Sequence, residues 1–222
     1  MASEDALDRA LAAARAYIAS RTERPVWPRT PLADLRAAFD MPLPSDPVDP
    51  CTVVDDLSRA ADRGVVTTTG PRYFGFVTGG ALPATIAAEW LSTAWNQNGA
   101  LFVMSPAAAV AEDVAGQWLL DVLGLPRQSS VGFVTGCHMA NFTALAAARH
   151  EVLRRAGWDV EAEGLHGAPP ITVVVGDEVH VSALAALRYL GFGTRHIVRV
   201  AADDQGRMRP DVLAAALDRA AG

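Results

Sequence analysis

Apolar residues recur along this chain first at helical spacing and later in short β-branched runs, and that switch organises the sequence. Residues 3–20 place Leu7, Leu11, Ala14 and Ile18 on one side of a helix with acidic residues near its start. Residues 21–50 hold Pro25, Pro28, Pro31, Pro42, Pro44, Pro47 and Pro50, too many for one regular element. They predict an extended connector with a short helix near Leu32–Phe39. Asp49 to Arg63 returns to helical spacing and stops at Gly64. After an aromatic, glycine-rich stretch over Gly70–Gly80, helices are predicted over Pro83–Asn98 and Pro106–Gly124. The second carries Val110, Val114, Trp118, Leu119 and Val122 at apolar positions.

Beyond residue 130 the order is regular. Val131–Thr135 reads as a short strand, Gly136 as a turn, and Met139–Gly157 as a helix. Residues 171–175, Ile-Thr-Val-Val-Val, read as a buried strand, Val181–Leu190 as a helix ending at Gly191, His196–Val200 as a third strand, and Pro210–Ala220 as a third helix. Strand and helix in alternation predict a parallel α/β layering. With no closing strand after the last helix, the sheet is expected to be unfinished.

Composition narrows the function. Half of the 222 residues are hydrophobic and 20% are charged, so a substantial core is expected. The net charge of −6 carries no basic block, which argues against a nucleic-acid partner. No apolar run approaches the roughly 20 residues of a membrane span, and the N-terminus lacks the pattern of a signal peptide. Two cysteines, Cys51 and Cys137, make no disulfide framework, and a cytoplasmic, reducing compartment is expected. The five histidines show no metal-ligand spacing. All 19 basic residues are arginines; the chain has no lysine.

Two segments carry candidate chemistry. In Val131-Gly-Phe-Val-Thr-Gly-Cys-His-Met-Ala-Asn-Phe-Thr, a strand is predicted to run through a glycine turn straight into a long helix. A helix start has unpaired N–H groups and a dipole that favour an anion. Gly136, Cys137 and His138 occupy the turn, so a phosphate would sit on their amides, with Asn141 and Thr143 capping or bracing it. The spacing is neither the dinucleotide fingerprint nor the P-loop, and a ligand-free tight turn is the bland alternative. In Val173-Val-Val-Gly-Asp-Glu-Val-His-Val-Ser182, His180 follows the end of a strand, where open α/β sheets place ligands. The alternative is an exposed loop histidine, or one bonded to Asp177.

From Pro71 to Gly193 the chain resembles the group II amino-acid decarboxylases that use pyridoxal phosphate. The likeness rests on the Gly136-Cys137-His138 turn before a small-residue helix ending in Ala148-Arg149, on His180, and on Pro71-Arg-Tyr-Phe-Gly-Phe-Val-Thr-Gly-Gly80. It implies an α/β fold of type I, aspartate aminotransferase-like, truncated within the parallel sheet of the large domain. It implies a cofactor-phosphate cup at Gly136, Cys137 and His138. Cys137-His138 departs from the family's commoner small or hydroxyl residues, and gives His138 a possible tuning role. His180 would stack on the cofactor ring, serve in catalysis and take part in proton handling. Thr78 would lie near substrate or cofactor, and Phe76 would supply an apolar wall; Tyr73 and Phe74 are expected in the core. Residues 1–98 would form the helical arm, connector and substrate edge, and 99–222 the first part of the cofactor domain. The arm resembles a dimer-embracing segment, so a homodimer acting on an amino-acid substrate is implied.

Those enzymes hold pyridoxal phosphate as a Schiff base to a lysine, which this chain does not contain. The chain alone is therefore expected to be inactive: a fragment of a decarboxylase, one half of a split enzyme, or a non-catalytic relic that dimerises with a lysine-bearing partner. A thiol hydrolase built on Cys137-His138 is disfavoured, because adjacent side chains on a turn rarely pair as nucleophile and base.

Overall fold

Local signals account for most of the helices in the computed structural model, which describes residues 2–195 and 197–221. The chain divides into two compact units, Met1–Gln97 and Asn98–Gly222.

The first unit contains α1 (Ala2–Ser20), α2 (Leu32–Phe39), α3 (Pro50–Asp62) and α4 (Pro83–Trp95). α3 starts where the sequence provides both of the usual devices. Asp49 accepts a bond from the Thr52 N–H at 3.0 Å, and Pro50 occupies the first turn, where its missing N–H costs nothing. α1 packs on α3, with Arg9 3.5 Å from Asp55. Leu11, Ala14 and Ile18 are half-buried and Leu7 is exposed, so the apolar side of α1 is partly covered. Gly64 lies close against α2: a Cβ there would lie 2.7 Å from Leu35 Cδ2, so the leucine would have to shift. The proline-rich connector is pinned by Thr67, which is buried. Its hydroxyl donates to the Pro25 carbonyl at 2.9 Å and its N–H to the Val26 carbonyl at 3.0 Å.

The second unit contains α5 (Pro106–Leu123), α6 (Cys137–Arg155), α7 (Val160–Glu163), β1 (Val173–Gly176), α8 (Val181–Tyr189), β2 (Ile197–Val200) and α9 (Pro210–Ala221). β1 and β2 form a parallel ladder, Val173 opposite Ile197 through Gly176 opposite Val200. A parallel pair needs a crossover, and α8 supplies it. α6 packs beside α8, and α9 beside β2. Buried apolar side chains in this unit are Leu120, Leu153, Val160, Ala186, Leu187, Leu190, Val200 and Ala216.

Several expectations need correction. Residues 131–135 are not a strand: no described segment pairs with them, and an apolar run without a partner has nowhere to place its backbone bonds. Val131 instead lies against Gly116 of α5. β1 is half-buried rather than buried, because a two-stranded ladder leaves it one edge without a strand among the described residues. The start of the third strand at His196 lies outside the described residues. The core is small, and apart from Leu120 the large apolar residues of α5 stay in contact with solvent, Trp118 at 68% and Val122 at 81% exposure. Phe74, at 92%, is not a core residue. α7 was not expected, although Asp159, which accepts from the N–H groups of Glu161 and Ala162, is a readable cap.

Candidate functional site

Two helix starts meet in the second unit. α6 begins at Cys137, immediately after Gly136, and its first bond outside the regular helix runs from the Ala140 N–H to the Gly136 carbonyl at 3.0 Å. No side chain caps this end. The N–H groups of Cys137, His138 and Met139 therefore point outward with no partner among the described residues. Gly136 is extended (φ 162°), a conformation open to any residue, and a Cβ on it would meet nothing within 4 Å.

α8 begins at His180, beyond the carboxyl end of β1 and the turn at Asp177–Val179. His180 is the N-cap: its Nδ1 accepts from the Ser182 N–H at 3.2 Å and lies 2.8 Å from Ser182 Oγ. It is exposed, but it is ordered by its own helix and not by Asp177. The two helix starts are joined directly, since Asn141 Nδ2 donates to Ser182 Oγ at 3.0 Å. Farther along, Arg149 Nη1 donates to the Leu190 carbonyl at 3.0 Å, so the same pair of helices is tied again at the end of α8. The His138 ring packs on Tyr189 of α8, with centroids 5.7 Å apart. Cys137 is an exposed free thiol.

The structure thus brings Gly136, Cys137, His138 and His180 together through α6 and α8. Asn141 braces Ser182 rather than capping its own helix, and Thr143 is exposed. Ser182 was missed. The signal was present: a side chain that caps a helix accepts from the residue two positions on, and a serine there brings its hydroxyl to the same nitrogen.

Phe76 and Thr78 belong to the first unit. Phe76 is 95% exposed, and both Phe76 (φ 54°) and Val77 (φ 52°) sit in the left-handed region. Such conformations cost about 1–3 kcal/mol each. The Thr78 N–H closes a turn to the Gly75 carbonyl at 3.4 Å.

Open helix-start amides and the region beyond the carboxyl end of a parallel strand are places where α/β folds can bind anions. Residues 33–221 match the pyridoxal-dependent decarboxylase conserved domain, and the chain belongs to that family. It is 28% identical over 155 residues to an acidic amino acid decarboxylase of Xenopus tropicalis, covering 70% of this chain and 29% of the relative. It is 27% identical over 179 residues to the aromatic-L-amino-acid decarboxylase of Bacillus atrophaeus, covering 81% and 35%. Its fold matches the crystal structure of mouse CSAD with a TM-score of 0.84 at 23% identity, over 100% of this chain and 46% of that one. It matches Oryza sativa TDC with PLP and tryptamine with a TM-score of 0.85 at 24% identity, over 99% and 46%. The fold is therefore that of the type I pyridoxal-phosphate enzymes, and the chain spans less than half the length of these relatives. Pyridoxal phosphate is the cofactor of the family. The residues present fit its phosphate: three unpartnered amides at a helix start, with open space around Gly136.

Proposed function

We propose that these residues belong to a pyridoxal-phosphate-dependent amino-acid decarboxylase, a carbon–carbon lyase that works as a cytoplasmic homodimer. The observation that carries this reading is the pair of joined helix starts, α6 with its free amides and α8 with His180 at its head, in a chain of this family. When bound, pyridoxal phosphate supplies the electron sink that makes loss of the carboxylate possible.

The chain's own part is binding and orientation. The amides of Cys137, His138 and Met139 would hold the phosphate, helped by the roughly half positive charge at a helix N-terminus. Gly136 would admit it without a side chain in the way. His180 would stack on the cofactor ring and manage the proton at its free Nε2. Thr78 and Phe76 of the first unit would border the substrate. The substrate edge and arm are assigned to residues 1–98 and the cofactor-binding part to 99–222. Exposed apolar residues on α5 support a covering surface from further chain or a second copy.

The lysine that anchors the cofactor must come from outside these 222 residues, since arginine stays protonated and does not take that role. That requirement also supports a second reading, a non-catalytic or split form that pairs with a lysine-bearing partner. The test is to produce the 222 residues alone and joined to whatever sequence follows them in the native host. Cofactor uptake by absorbance and carbon dioxide release from acidic and aromatic amino acids are then measured. Release from the longer polypeptide and none from the shorter is expected, with a His180→Ala loss of about 10²–10⁴-fold in the longer one. Release from the 222 residues alone, above the rate of free cofactor, would overturn the reading.

A further inference from the structure

The bonds around His180 determine which of its nitrogens carries the proton. The Ser182 backbone N–H lies 3.2 Å from Nδ1. A backbone N–H can only donate, so Nδ1 presents its lone pair and holds no proton. Ser182 Oγ lies 2.8 Å from that same nitrogen. With Nδ1 an acceptor, the hydroxyl must be the donor, and its single proton is then committed. Its oxygen can still accept, and Asn141 Nδ2 fills that place at 3.0 Å. The opposite orientation of the Asn141 amide would set an acceptor oxygen against an oxygen with no proton left to give. Every bond therefore points one way, from Asn141 to Ser182 to His180.

We propose that Asn141 and Ser182 are positioning residues that hold neutral His180 in its Nε2–H tautomer. His180 then meets whatever occupies the site as a hydrogen-bond donor at Nε2, suited to a carboxylate or another anionic oxygen, and not as a base. Nε2 has no hydrogen-bond partner among the described residues, so it is the nitrogen free for that purpose. Because Asn141 lies in the second turn of α6, the helix with the phosphate amides also sets the protonation pattern of the histidine on α8. This inference rests on the reading of His180 as a site residue, but its test does not depend on turnover.

The test is ¹⁵N NMR of the full-length protein labelled at histidine, with and without pyridoxal phosphate, His180 being identified by the signal lost in His180→Gln. The ring nitrogen shifts distinguish the two tautomers directly. Wild type should show Nδ1 as the unprotonated nitrogen and Nε2 as the protonated one. Ser182→Ala should lower the tautomer ratio about fivefold, the effect of losing one neutral hydrogen bond. Ser182→Thr keeps the hydroxyl and should restore the wild-type pattern. Asn141→Asp, which can only accept, should compete for the hydroxyl proton and move the ratio toward Nδ1–H. Mixed tautomers in the wild type, or an unchanged ratio in Ser182→Ala, would overturn the proposal even in an active decarboxylase. A fixed Nε2–H tautomer in a protein that releases no carbon dioxide would leave this proposal standing and remove the assigned activity.

Discussion

Gly191 ends the helix that His180 begins, and two different demands meet on it. Its φ is +86°, in the left-handed region, and a Cβ there would lie 2.6 Å from Leu165 Cδ1. Gly193, two residues on, has φ +69° and nothing within 4 Å of a Cβ, so it carries the first demand without the second. An alanine in the left-handed region costs about 1–2 kcal/mol, reduced by the smaller conformational freedom alanine has in the unfolded chain. Gly193→Ala should therefore destabilise by about 1 kcal/mol. Gly191→Ala must also turn aside one terminal methyl of a half-buried leucine, a flexible side-chain end, and a rotamer shift of that kind adds about 0.5–1.5 kcal/mol. The expected total is about 1.5–2.5 kcal/mol. Urea unfolding of the two variants, followed by the loss of helical circular dichroism, measures the difference as a shift in midpoint. Leu165→Ala should remove the contact, so in a double-mutant cycle Gly191→Ala should cost about as little in that background as Gly193→Ala does in the wild type. Equal midpoints for the two single variants would refute the reasoning, because they would show that Leu165 does not press on the end of α8.

Two further outcomes follow from the same unit. Leu153 is fully buried in α6, so Leu153→Ala should cost about 2–5 kcal/mol, whereas Val152→Ala, at a 48% exposed neighbour, should stay within about 0.5 kcal/mol; similar losses at both positions in urea melts would contradict the placement of the core. Hydrogen bonds from Arg154 and then Arg155, both at 2.7 Å, hold the Glu151 carboxyl at about 2, below its ordinary value of 4.5. A folded value lower than the unfolded one stabilises above the unfolded value and is lost as pH falls through the folded one. Stability should thus fall more steeply between about pH 4.5 and 2 in the wild type than in Glu151→Gln. The gap should shrink in high salt, because all three side chains are in contact with solvent; parallel pH curves would show that the two arginine contacts contribute nothing.

The places of Gly136 and His180 at the starts of two helices were legible because their cues are local. A strand-like run, a glycine and a small-residue helix lie within 20 residues of one another, and the start of α6 depends on little else. The role of Ser182 was hidden because its meaning comes from Asn141, 41 residues away in sequence and 3.0 Å away in space. The division into elements follows the same rule. Pro50, Pro83, Pro106 and Pro210 each open a helix, Gly124 ends one, and the alternation of β1, α8 and β2 is written in runs of valine and alanine.

By itself, then, the sequence determined most of the helices, the parallel order of β1 and β2, the glycine turn before α6, the family resemblance and the absence of lysine. Each of these is a property of a few neighbouring residues or of composition. Only the tertiary structure decided that residues 131–135 form no strand, that α5 keeps its apolar side toward solvent, and that α6 and α8 meet at Asn141 and Ser182. Strand pairing, burial and a side-chain relay all require a second segment to arrive at the right place. Local periodicity can prepare a surface for such a partner, but it holds no information on whether the partner comes.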